Sequence, residues 1–263
     1  MKNALLVGVS LAALGIGSAS AADMAARAPA YTKAPVMPVA VYNWSGFYIG
    51  GNAGGASSHN CWTTNAVVGI GAVAPTDEGC HNATGAVAGG QIGYRWQLTN
   101  WVFGLEAQGD WADLKGSNIS SPAAFSPLSN QTKIDSIGLF TGQIGYAWNN
   151  VLWYGKGGAA VTHDKYNGIS PGFTFQGLVF PAGTFDQASE SRWGGVIGTG
   201  IEFGFAPGWS VAFEYDHLFM GNRNLNFNTP AGVFIRTDNI KQNVDMGTVR
   251  FNYTFGGPVV AKY

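Results

Sequence analysis

From residue 44 to residue 255 the chain runs in segments of 10 to 15 residues whose side chains alternate between two unlike faces, the period-two signature of a β-strand. In the second segment Ala86, Ala88, Gly90, Ile92, Tyr94 and Trp96 share one face, and Gly85, Val87, Gly89, Gln91, Gly93 and Arg95 share the other. The third sets Phe103, Leu105, Ala107 and Trp111 against Glu106, Gln108 and Asp110. The seventh opposes Trp209, Val211, Phe213 and Tyr215 to Ser210, Ala212, Glu214 and Asp216, and the last opposes Val249, Phe251, Tyr253 and Phe255 to Thr248, Arg250, Asn252 and Thr254. Each strand has one oily face and one small or polar face.

Such segments fall at about 44–56, 84–97, 101–114, 133–148, 151–165, 190–205, 209–220 and 242–255. Three connections are tight, at Leu98-Thr99-Asn100, Asn149-Asn150 and Ala206-Pro207-Gly208, and all have turn chemistry. The other four, roughly 57–83, 115–132, 166–189 and 221–241, are long and polar and read as loops. Short turns at one end and long loops at the other predict an all-β, eight-stranded antiparallel up-and-down transmembrane β-barrel in an outer membrane, with both termini and the short turns in the periplasm. The alternative, a secreted soluble barrel, would bury the aromatic face. Magnitudes decide against it. An eight-stranded barrel is just wide enough for its own side chains, which suits the register of Gly, Gln, Glu and Arg. Turned outward, that register would put charge in hydrocarbon, costing about 2–4 kcal/mol for each midplane Arg or Lys. The aromatic register therefore faces lipid, and Trp96, Trp101, Trp148, Trp153 and Trp209, five of nine tryptophans, lie beside the short turns as an interfacial girdle.

The ends of the chain read differently. Lys2, the apolar run Ala4 to Ile16 and the small-residue site Ala19-Ser20-Ala21 predict a signal peptide over 1–21. Its apolar run falls short of the roughly 20 residues a membrane helix needs. Residues 22–43, Ala-rich with Pro29, Pro35 and Pro38, predict a flexible periplasmic linker, 44–255 the barrel, and 256–263 a C-terminal tail. Only 11% of residues are charged and the net charge is -1, so nothing points to a nucleic-acid partner.

The leader ending Ala19-Ser20-Ala21-Ala22-Asp23, the Tyr31-Thr32-Lys33-Ala34-Pro35 linker and the opening strand Tyr42-Asn43-Trp44-Ser45-Gly46-Phe47-Tyr48-Ile49-Gly50-Gly51-Asn52 carry a resemblance. So do Gly89-Gly90-Gln91-Ile92-Gly93-Tyr94, its near copy Gly142-Gln143-Ile144-Gly145-Tyr146, Tyr154-Gly155-Lys156-Gly157-Gly158 and Phe213-Glu214-Tyr215. Over nearly its whole length the chain resembles the small porin-family β-barrels of alphaproteobacterial outer membranes, often labelled outer membrane immunogenic proteins. The resemblance implies an eight-stranded barrel and no catalytic activity. Such barrels end on an aromatic residue of the last strand, here Phe255, whereas this chain continues to Tyr263.

Ten charged residues fall in the inward registers: Arg95, Glu106, Asp110, Asp135, Lys156, Arg192, Glu202, Glu214, Asp216 and Arg250. A narrow interior makes unpaired charge costly, so they predict a structural network blocking any wide channel, the alternative being an ion-selective constriction. Its centre is expected at Lys156 with Glu106 and Glu202, completed by Arg95 or Arg250. Cys61 and Cys80, flanked by His59 and His81, predict a disulfide closing the first long loop with the histidines solvated; a zinc site is the alternative, but the spacing fits no standard finger and the compartment is oxidising. His163 with Asp164 and His217 beside Asp216 are the candidates for acid–base chemistry, and no triad accompanies them.

The function expected is therefore a non-enzymatic, surface-displayed barrel with at most a narrow small-solute pore. A diffusion porin and an adhesin binding through its four loops, with Phe173, Phe175, Phe180 and Phe234 as contact aromatics, are the alternatives. No cofactor or metal is expected. The expected partners are outer-membrane lipids and lipopolysaccharide and, during insertion, the outer-membrane assembly machinery, with the protein a monomer.

Overall fold

A computed structural model describes residues 42–121, 127–175 and 178–256. The expected signal peptide, nearly all of the linker and all but Gly256 of the tail lie outside them. The described residues form eight strands and no helix: β1 (Gly46–Val67), β2 (Gly71–Leu98), β3 (Trp101–Ile119), β4 (Ser129–Trp148), β5 (Val151–Phe175), β6 (Leu178–Ala206), β7 (Trp209–Asn228) and β8 (Phe234–Phe255). Neighbours in sequence pair antiparallel, and β1 pairs with β8 as well as β2, which closes the barrel. Closure removes the sheet edge that hydrocarbon cannot hydrate.

The three tight turns are two-residue hairpins, and Thr99, Asn149 and Gly208 take the left-handed conformation with φ of 57°, 53° and 77°. At the opposite end the strands are much longer than their expected limits. They run from 19 to 29 residues, against the roughly 9–11 that cross a bilayer. Most of what reads as long loop in the sequence is strand: β1 continues to Val67 and β2 begins at Gly71, so three residues connect them in place of an expected 57–83 loop. Cys61 and Cys80 are accordingly paired residues of two strands, not members of a loop.

The lipid belt can be measured along the strands. From Trp101 to Trp111 on β3, and from Trp209 to Phe219 on β7, is ten residues. Ten residues rise about 33 Å along a strand, which at a tilt of roughly 40° is about 25 Å of barrel height, the thickness of an outer-membrane apolar band. Within it the outward residues are apolar and exposed, including Ile92, Leu105, Ile144, Ile197 and Phe251. Above Trp111, Trp193 and Phe219 the outward face carries Asp113, Lys115, Lys133, Lys165 and Lys241. The upper part of the barrel thus projects from the membrane with polar residues on both faces. One stretch of the wall lacks ladder pairs there: β6 and β7 share none between Gln187–Asn228 and Gly195–Phe219.

Candidate functional site

Inside, the side chains are stacked in layers. At the turn end Trp44, Val102, Ala147, Leu152 and Tyr154 form an apolar plug, with Tyr42 packed against it. Trp44 precedes the first strand residue, and its backbone N–H donates to Gln97 Oε1 at 3.0 Å. The chain entering the barrel thereby packs into its turn end.

Above the plug lies an ionic cluster. Arg95 meets Glu202 at 2.8 Å, and its guanidinium stacks 4.4 Å from the Tyr48 ring centroid. Arg250 bridges Glu106 and Glu214. Lys156 reaches Glu214 at 2.7 Å, Asp216 at 3.2 Å and Glu106 at 3.7 Å. Two tyrosines complete the shell, Tyr48 donating to Glu106 and Tyr154 to Glu214, each at 2.6 Å. The fit is close: a Cβ added at Gly93 would stand 2.6 Å from the Tyr48 ring. Asp110 is buried beside this cluster and accepts a hydrogen bond from Gln108 at 2.8 Å.

Two expectations are corrected here. Glu202 belongs to Arg95, not Lys156, because the β5–β6 register sets Glu202 opposite Leu152, four residues along β5 from Lys156 and toward the turn end. Asp135 is not inward. A register shift between Ile134 and Ser136 turns it outward, where it bridges Lys133 at 2.8 Å and Lys165 at 2.5 Å. Arg192 is inward and fully buried but far from the lower cluster. It pairs with Glu190 at 2.6 Å and donates to the backbone carbonyl of Ile240 at 3.1 Å, spanning the unpaired stretch between β6 and β7.

Above the lower cluster comes an apolar ring: Ala56, Ala83, Val87, Leu114, Ile134, Ile137, Leu139, Ala160, Val196, Leu218, Met220, Val244 and Met246. Every one of the eight strands contributes to it. Beyond the ring, outside the membrane, lies a second ionic cluster that the sequence reading missed. Arg236 is shared by Glu78, by Asp186 at 2.8 Å and by Asp238 at 3.1 Å, all four fully buried. Burial, with Glu78 and Asp186 as further negative neighbours, pushes the Asp238 carboxyl up to about 7 despite Arg236, and burial likewise raises Asp186. An aromatic group of Trp62, Tyr166 and Phe227 packs beside them with Ile240.

The remaining candidates separate. Cys61 and Cys80 form a disulfide with Cα atoms 4.1 Å apart, so neither sulfur is free to bind a metal. His59 accompanies them, 3.4 Å from Cys61 Sγ, but His81 is not solvated; it is buried on Asn118 Oδ1 at 2.7 Å and Thr132 Oγ1 at 2.9 Å. His163 and Asp164 lie on opposite faces, as do His217 and Asp216. His217 pairs instead with Asp245 at 2.6 Å, and His163 Nδ1 lies 3.3 Å from Ser191 Oγ.

A closed wall, a 25 Å apolar belt and a lumen packed with paired charges define a small transmembrane β-barrel of a bacterial outer membrane. Residues 9–255 match the family model described as an outer membrane protein beta-barrel domain, and the chain belongs to that family. It is 30% identical over 267 residues, 97% of this chain and 100% of the relative, to the 31 kDa outer-membrane immunogenic protein of Brucella melitensis, and equally to that of Brucella suis. Among solved structures, the outer membrane protein OprG of Pseudomonas aeruginosa shares the fold at 12% identity, with a TM-score of 0.50 over 80% of this chain and 97% of that one.

Two expected outcomes follow. Lys156→Met leaves buried carboxylates uncompensated and costs about 3–5 kcal/mol; Lys165→Met removes an exposed partner of Asp135 and costs about 0–1 kcal/mol. Urea midpoints of the refolded barrels in detergent measure both, and equal midpoints would refute the inward register. The upper cluster gives a pH dependence. An acid whose folded pKa lies above its unfolded value of about 3.9 binds more protons folded than unfolded, so stability falls as pH rises from about 4 through 7. Thermal midpoints should therefore drop between pH 5 and pH 8 in the wild type and drop less in Asp238→Asn; parallel profiles would show that Asp238 is not the group responsible.

Proposed function

We propose that this protein is a non-enzymatic outer-membrane barrel that supports the membrane and displays a long extracellular extension, with a lumen closed to all but the smallest solutes. The observation that carries this reading is the apolar ring drawn from all eight strands, set between two ionic clusters. A continuous aqueous path needs polar lining along its length, and barrels that hold one have about 16–18 strands. The ion pairs below the ring are multidentate and fully buried, which suits internal struts better than transit sites. Catalysis finds little support. Two hydroxyls approach imidazoles, Thr132 that of His81 at 2.9 Å and Ser191 that of His163 at 3.3 Å, and among the described residues neither imidazole has a carboxylate orienting it.

In planar bilayers the barrel should show no large, stable, ion-selective openings. Regular conductance steps of that kind would overturn the closed-lumen reading and favour a porin.

A second reading, an adhesin, has its own observation. At the extracellular tip Val68 donates its backbone N–H to Ile235 O at 2.8 Å, joining the β1–β2 and β7–β8 hairpins. Val68, Ile70, Val233 and Phe234 are exposed around that junction. Of the four phenylalanines singled out as contact aromatics, Phe234 is the one whose side chain is described. Contiguous exposed apolar surface of this kind marks contact sites. Cells displaying the barrel with Ile70→Asp and Val233→Asp should adhere to host-cell matrix less than wild type if the tip binds; unchanged adhesion would leave the scaffold reading alone.

A further inference from the structure

The outer wall of β3, β4 and β5 carries a groove that neither the closed lumen nor the extracellular tip uses. Its volume is about 440 Å³. Gly109 and Gly138, directly opposite each other, form the floor, and a Cβ at Gly109 would meet nothing within 4 Å. Trp111, 80% exposed, forms one wall, and Val161, His163 and Ser191 form the other. Trp111, Ser136, His163 and Ser191 lie on one cross-strand level, that of the outer aromatic girdle. The lower part of the groove is thus small and apolar, and its upper margin is polar.

Above that margin stand three lysines in a row. Lys115 is directly opposite Lys133, and Lys133 is directly opposite Lys165. Like charges placed opposite one another across a sheet repel, so the row is unfavourable without counter-anions. Two acids stand there: Asp113 pairs with Lys115 at 2.8 Å, and Asp135 is shared by Lys133 and Lys165. One positive charge remains over, at the height where the headgroups of the outer leaflet begin. Among the described residues the rest of the outward wall lacks this arrangement. On β8 Lys241 stands opposite Asn222 of β7 and Cys61 of β1.

The geometry points to a lipid-binding site: a phosphate-bearing glycolipid of the outer leaflet seats its phosphate on the Lys115–Lys133–Lys165 row and lays an acyl chain over Gly109 and Gly138 beside Trp111. Each phosphate oxygen accepts charge-assisted hydrogen bonds from ammonium groups, and the glycine floor admits a methylene chain where a larger side chain would fill the space. The site is independent of whether the barrel acts as scaffold or adhesin.

Native mass spectrometry of the refolded barrel in detergent tests it, with a diphosphorylated, acylated disaccharide as probe, its dephosphorylated form as second arm and inorganic phosphate as third. Wild type should retain the phosphorylated lipid at least tenfold better than the dephosphorylated one, and free phosphate should bind far more weakly than the lipid. Lys115→Gln/Lys133→Gln/Lys165→Gln should lose that preference. Gly109→Leu, which fills the floor without touching charge, should weaken both lipids alike, and Lys241→Gln should change nothing. Heat-modifiable gel mobility shows that each variant is folded. Equal retention of the two lipids by wild type, an unaffected triple variant, or an equal loss from Lys241→Gln would overturn the site, the last by showing diffuse charge attraction in its place.

Discussion

The narrowness of an eight-stranded tube governs everything inside it. Side chains from opposite walls meet, so an inward charge cannot keep a full hydration shell and needs a counter-charge or a polar side chain, as Asp110 has in Gln108 and Asp164 in Thr162 and Gln242. The lower cluster meets that demand by sharing. Arg250 serves two glutamates on β3 and β7, Lys156 serves acids on the same two strands, and Tyr48 and Tyr154 occupy carboxylate lone pairs that the cations leave. Replacing such a network by apolar residues need not lose stability, whereas deleting one member leaves a bare charge. Its contribution is better described as register: β3, β5, β7 and β8 are tied at one height, and a slip of one residue would turn the participating charges into lipid.

That same two-residue period explains how much of the molecule was legible in the sequence. Within the membrane the outward face is oily and the inward face polar, and so the contrast locates strands, faces and turns. Above the membrane the outward face is largely polar and the inward face mixes charged with aromatic residues, so the contrast vanishes, and 57–83 and 221–241 look like loops although β1, β2, β7 and β8 run through them. One signal was present. Val244, Gln242, Ile240, Asp238 and Arg236 continue the inward register of the last strand at steps of two, and following it down the sequence leads to Arg236 and its three acids. Asp135 failed for the opposite reason: a bulge between Ile134 and Ser136 reverses the faces, and nothing in residue type announces it. Pairing partners were hidden as well. Barrel shear offsets neighbouring strands, so Glu202 sits with Leu152 and reaches Arg95 across the lumen, a relation that no single-strand pattern encodes.

Arg192 shows how the wall tolerates an interruption. Where β6 and β7 part company, their backbone groups lose ladder partners, and this occurs only above the belt, where water can hydrate them. Arg192 extends across the interruption to the carbonyls of Gly221 and Ile240, while Gly221, at φ 71°, lets β7 bulge and still hold β8. The Arg192 guanidinium thus supplies two hydrogen bonds to backbone carbonyls beside the stretch where ladder pairs are missing.

The level just above the girdle is where the wall reverses its polarity. Below it, outward residues are apolar and inward ones charged; at it, Leu114 and Ile134 point in to the apolar ring while their sequence neighbours Lys115 and Lys133 point out. The two faces of one strand pair thus perform opposite tasks at one height. Inward, the ring sets an apolar layer between two charge clusters. Outward, Lys115, Lys133 and Lys165 stand side by side with Asp113 and Asp135 as their counter-charges. Because adjacent residues on a strand cannot point the same way, packing the apolar ring and charging the outer wall are coupled by the pleat itself: a one-residue shift of β3 against β4 would place Lys115 in the ring and Leu114 on the outer wall, losing both.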